Sequence, residues 1–157
     1  MKKAPNFFAQ WRHGQWISPK VYIVRIYYDD IKGMPQTCLK LGFTKQPLHN
    51  RIIRFLNEMR KATGFKIKQY ELVSLLYTSS YSSLEYALHS NHLHLVLINA
   101  SGIAVCYDGS GELLYDTPEN CNLIQQPNSF YDKGKYIVPY NYREPKKRTI
   151  PDMDNVV

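Results

Sequence analysis

The chain has 157 residues, 44% of them apolar and 21% charged. That suffices for one domain with a sizeable core, is too short for two ordinary domains, and is too apolar for a disordered chain. The formal charge of +7 favours an anionic partner such as nucleic acid or an anionic surface, although an ordinary basic globular protein carries such a charge too.

Residues 1–20 mix Phe7, Phe8, Trp11 and Trp16 with Arg12, His13 and Lys20 without a clear period. They read as an N-terminal extension that packs on the domain or contacts a partner. The two leading lysines are followed by no apolar h-region, so this is not a signal peptide, and no apolar run in the chain reaches transmembrane length. The three cysteines, Cys38, Cys106 and Cys121, lack C-x-x-C spacing and read as free thiols. The expectation is a soluble, cytoplasmic protein in a reducing compartment, with no membrane partner.

The run VYIVRIYY at 21–28 is β-branched and aromatic, as an interior strand requires. Turn residues at 29–36 lead into TCLKLGFT, which alternates cleanly, with Leu39, Leu41 and Phe43 on one face and Cys38, Lys40 and Gly42 on the other. A short loop between two strands predicts an antiparallel hairpin that brings Tyr22 near Lys40. From Pro47 the period becomes helical, with Leu48, Ile52, Phe55, Leu56 and Met59 on the apolar face, Arg51, Arg54 and Glu58 on the other, and a stop at Gly64.

FKIKQYELVSLLYT at 65–78 predicts a third strand, bulged near Gln69 and Tyr70. A second helix is expected from Ser80 or Ser82, with Ser82 and Glu85 at capping-box spacing and a stripe of Leu84, Ala87, Leu88, Asn91 and Leu95. IAVCYD at 103–108 and GELLYD at 111–116 read as two short strands. Thirteen tyrosines against six phenylalanines suit half-wet strand positions, or a surface that stacks nucleic acid. The expected fold is α/β, a small, mainly antiparallel three-stranded sheet flanked by helices with extra short C-terminal strands. The domain spans 21–140, and 141–157, which includes Lys146, Lys147 and Arg148, is a polar tail expected to fray.

VYI at 21–23, KLGFT at 40–44, the helix bearing Arg51, and SLEYALH at 83–89 together resemble the GIY-YIG nuclease superfamily. The resemblance runs from about residue 20 to about residue 115. It implies a metal-dependent endonuclease, with Tyr22 at the first-motif tyrosine, Gly42 at the second-motif glycine, Arg51 as the helix arginine and Glu85 as the metal-binding glutamate. Lys20-Val21 replaces Gly-Ile of the first motif, and Lys40 stands where many members have the second tyrosine, as in some phage-borne and restriction-enzyme-like branches. Gly111-Glu112-Leu113-Leu114-Tyr115 faintly resembles a Gly-Glu-Trp-Phe signature of phage-type members.

Phosphodiester hydrolysis needs an activated water, stabilisation of the charge on the non-bridging oxygens and help for the leaving oxygen. The catalytic candidates are Tyr22, Lys40, Arg51 and Glu85. Glu85 would hold a hydrated Mg²⁺ or Mn²⁺, and Arg51 would grip the scissile phosphate in bidentate fashion. Tyr22 would serve as general base if a cation such as Lys40 lowers its pKa. Gly42, Lys45, Arg54 and His89 are the substrate-binding candidates, and nucleic acid, DNA foremost, is the expected partner of a monomer or homodimer.

Each residue also has a plainer reading: Tyr22 a core tyrosine, Lys40 an exposed strand lysine, Arg51 and Arg54 a solvated helix face, Glu85 a cap. Only the conjunction of suitable types on suitable elements favours a site. Glu85, His89 and His92 on one helix face could bind zinc, but the H-E-x-x-H spacing is absent. The alternatives are a catalytically inactive nucleic-acid-binding module of the same fold, and an unrelated α/β interaction protein.

Overall fold

The computed structural model describes residues 19–90, 94, 95, 97, 110–124 and 137–142. β1 (Lys20–Asp29) is the central strand of a five-stranded sheet of order β4-β2-β1-β3-β5, in which every pairing is antiparallel. β2 (Pro35–Thr44) and β3 (Lys66–Tyr77) flank it, while β4 (Leu113–Leu114) and β5 (Ile137–Pro139) form the edges. The α/β class and the antiparallel sheet agree with the sequence reading; the sheet is larger than the three strands expected. Those three run long and periodic, whereas β4 and β5 are too short to show a period and exist only as edge additions. IAVCYD and the tail from 143 lie outside the described residues, but Tyr142 packs on the core rather than belonging to a frayed end.

The β1–β2 hairpin forms as predicted, pairing Tyr22 with Gly42 and Val24 with Lys40. The Asp30 carboxylate accepts from the backbone N–H groups of Lys32 and Met34 and so holds the turn. The β1–β3 register shifts twice, leaving Lys68 and Val73 as extra residues either side of the expected bulge position.

Both sheet faces are covered, which is why β1 is apolar nearly throughout. Tyr22, Val24, Ile26, Tyr28 and Cys38 pack beneath α1 (Leu48–Thr63), whose Leu48, Ile52, Phe55, Leu56 and Met59 are buried as its period requires. Gly64 ends α1 in the left-handed conformation at φ +75°, where a side chain would be strained. Val21, Ile23, Leu39 and Leu41 form the opposite face, covered in part by Tyr81, Leu84 and Leu88 of α2 (Tyr81–His89).

α2 is shorter than expected. It stops at His89, so Leu95 lies beyond it, and the Ser82–Glu85 capping box does not form because Ser80 stands at the N-cap. A 3₁₀ turn (Ser110–Glu112) delivers β4 to the edge of β2, and a short helix, α3 (Pro118–Cys121), follows with Thr117 as its side-chain cap. No helix among the described residues is long and apolar enough to cross a membrane.

Candidate active site

Antiparallel pairing puts Tyr22, Lys40 and Gly42 on one face of adjacent strands. Tyr22 and Lys40 are both fully buried. Gly42 lies directly under the Tyr22 ring, and a Cβ there would meet Tyr22 Oη at 2.7 Å. The glycine therefore permits a close approach by the tyrosine. Buried in this way, it does not present a substrate-binding surface as the sequence reading proposed.

Lys40 carries a charge into the core, and three contacts make that tolerable. Its Nζ is ion-paired with Glu112, sits 4.4 Å from the Phe55 ring centroid, and lies 6.0 Å from the Tyr22 ring centroid. Burial lowers the lysine pKa and Glu112 opposes that shift. The exposed strand lysine considered as the plainer reading is thus excluded. Glu112 itself is a partner that sequence reasoning missed, its only signal being the faint GELLY resemblance.

Tyr22 is perturbed in the direction opposite to the expected one. Burial pushes its pKa up, Arg51 opposes, and Glu112 and Glu85 add to the rise. The cation that opposes the rise is Arg51 on α1, where the sequence reading looked to Lys40. The phenol is neutral at ordinary pH, and its buried hydroxyl has no hydrogen-bond partner among the described residues. Beside it, Lys20 is buried, which pushes its pKa down to about 8.

Glu85 is buried on α2, and its charge reaches both Tyr22 and Lys40, as does that of the half-buried Arg51 on α1. Its Oε2 lies 3.3 Å from His89 Nε2, which also donates to the Leu41 carbonyl at 2.9 Å. His89 Nδ1 pairs with His94 Nε2 at 2.7 Å. Burial lowers the His89 pKa, but the bonds to Glu85 and Leu41 outweigh it and the net shift is upward. With both ring nitrogens engaged, His89 is a brace for Glu85 rather than a zinc ligand; His92 lies outside the described residues. Lys45 and Arg54 are exposed, Lys45 Nζ being 5.9 Å from the Tyr81 ring centroid and Arg54 lying three residues after Arg51 on α1.

Among the described residues, no three His, Cys, Asp or Glu side chains are grouped as a metal cage. The donor set nevertheless suits a hydrated hard cation. Such an ion needs a single protein carboxylate when phosphate and water complete its shell. Glu85 qualifies, since its Oε1 makes no hydrogen bond to the described residues, whereas Glu112 is committed to Lys40. No family model, no curated protein and no solved structure matches the chain.

Proposed function

We propose that the chain is a divalent-metal-dependent endonuclease of GIY-YIG type that hydrolyses phosphodiester bonds in DNA. One observation carries the reading: a buried, unpartnered Tyr22 hydroxyl on which the charges of Arg51, Glu85 and Glu112 all act. Leaving a buried hydroxyl unpaired costs about 1–3 kcal/mol, and folded proteins contain few such groups. A reacting partner that arrives with substrate is a physical reason to keep one.

In this reading Arg51 donates two parallel hydrogen bonds to the scissile phosphate. Glu85 holds Mg²⁺ or Mn²⁺, which when bound supplies positive charge at the non-bridging oxygens and lowers the pKa of its water. Tyr22 enters as a neutral phenol that orients the attacking water. Arg51 acts to lower its pKa, and the opposing charge of Glu112 is countered by Lys40, so in the loaded site the phenol first releases its own proton to solvent, and the phenolate then takes the proton of the attacking water. Lys40 fixes the Tyr22 ring, and His89 fixes the Glu85 carboxylate.

The burial of Tyr22 and its raised pKa favour a second reading, a nucleic-acid-binding module that keeps the cluster without cutting. Supercoiled plasmid separates the two. The nuclease converts it to nicked circles with Mg²⁺ or Mn²⁺ and not with EDTA. Retarded but uncut plasmid under all metal conditions supports the binding module.

A further inference from the structure

A groove of about 810 Å³ runs along α1 away from the Tyr22 cluster, closed on its other side by the segment after β5. Arg54, Arg60, Asn50 and Asn57 line it from the helix, Tyr140 and Tyr142 from the segment. Among its described lining residues there is no carboxylate. Its far wall is fixed. The Tyr140 hydroxyl donates to Asn57 Oδ1 and accepts from Arg60 Nε at 3.1 Å. Tyr142 meets the His49 ring edge-on at 5.5 Å, and His49 Nδ1 is 2.7 Å from the Tyr70 hydroxyl. Arg54 is exposed and has no hydrogen-bond or ion-pair partner among the described residues.

Two guanidiniums in a groove that no described carboxylate lines, amides that both donate and accept, and two pinned tyrosine rings as a wall suit the backbone of a nucleic-acid strand, with its phosphates on the arginines. At about 1.5 Å per helical residue, Arg60 lies roughly 13 Å along the axis from Arg51. At about 3.4 Å of duplex axis per nucleotide, that is roughly four nucleotides. We propose that this groove seats the nucleic-acid strand flanking the cut, with its phosphates on Arg54 and Arg60. The proposal rests on the nuclease reading for the position of the cut, but its binding claim stands by itself.

Fluorescence anisotropy tests it, using a labelled duplex in EDTA with the full chain across a salt series. Arg54→Gln, on an exposed side chain with no described partner, keeps the fold, whereas the double variant with Arg60→Gln also releases Tyr140. The expected result is affinity roughly tenfold weaker in Arg54→Gln, weaker again in the double variant, with the slope of log K against log salt falling by about one per arginine. Unchanged affinity and slope in both variants overturns the groove, as does displacement of the duplex by a phosphopeptide as readily as by unlabelled DNA. Cleavage by the wild type with binding indifferent to Arg54 overturns the groove and leaves the nuclease reading intact. Arginine-dependent binding by a wild type that never cuts supports the groove and removes the nuclease reading.

Discussion

Tyr22 occupies the space in which a side chain at Gly42 would stand: a Cβ on residue 42 would lie 2.7 Å from the tyrosine Oη and 2.9 Å from its Cζ. The two residues face each other across the β1–β2 ladder. The two nearest atoms belong to the fully buried Tyr22 ring and the third is Lys40 Nζ at 3.2 Å, so the clash is relieved only if the ring shifts. Gly42→Ala is expected to lose about 1–3 kcal/mol in urea denaturation. Tyr22→Phe in that background gives no recovery, since Cζ remains, whereas Tyr22→Leu does. A double-mutant cycle should show coupling of at least about 0.5 kcal/mol between positions 22 and 42.

Glu112 is the ion-pair partner of a fully buried lysine and opposes the lowering of its pKa by burial. Glu112→Gln leaves Lys40 fully enclosed without a counter-ion, and breaking such a pair costs roughly 3–5 kcal/mol, toward the lower end here because the Glu112 side chain is partly exposed. The sign with pH follows from the lysine. Burial holds its folded pKa below the unfolded value of 10.5, so the unfolded chain binds that proton more tightly. Stability therefore rises as pH climbs from the folded value toward 10.5. The variant's deficit should be largest near neutral pH and shrink toward pH 10.5, measured by denaturant titration.

His89 should titrate above its ordinary 6.5, since Glu85 and the Leu41 carbonyl outweigh its burial. A raised folded pKa means stability that is fully present below 6.5 and lost as pH rises through the folded value. NMR titration of the imidazole in wild type and in Glu85→Gln tests this; the midpoint should fall in the variant.

Arg25 ties two carboxylates together on the other side of the molecule. Its guanidinium donates to Glu71 Oε1 at 2.7 Å and to Asp116 Oδ2 at 2.9 Å, and Thr37 donates to the same Asp116 oxygen. Burial alone would raise the Asp116 pKa, but these bonds hold it below 3.8. Its stability contribution is thus present above 3.8 and lost as pH falls through the folded value. Arg25→Gln is expected to cost roughly 3–5 kcal/mol and to lose that acid-side dependence, checked by urea melts from pH 3 to 7.

What could be read from sequence were the parts set by local period. β1, β2, α1 and β3 each carry enough residues for alternation or a helical stripe to show, and Gly64 marks its stop. Lys40 paired with Glu112 and Arg25 with Asp116 are tertiary pairings whose members carry no local pattern announcing them. Ser82 and Glu85 have capping-box spacing, yet of the two candidate caps it is Ser80, two residues earlier, that stands at the N-cap, and Glu85 turns toward His89 instead. The direction of the Tyr22 shift was missed for a related reason. A nearby cation can lower a phenol's pKa, but enclosure on every side raises it by more, and enclosure depends on α1 and the Glu112 turn together.

The most direct test of the hydrolytic reading is single-turnover cleavage of an end-labelled DNA duplex with Mn²⁺, run side by side for the wild type, Arg51→Ala and Glu85→Ala, with binding of the same duplex measured in EDTA. The wild type should cut, and both variants should cut at least a hundredfold more slowly (on the order of 3 kcal/mol of lost transition-state stabilisation) while still binding. Cleavage at the wild-type rate by either variant, or no cleavage by a wild type that binds the duplex, would contradict the account.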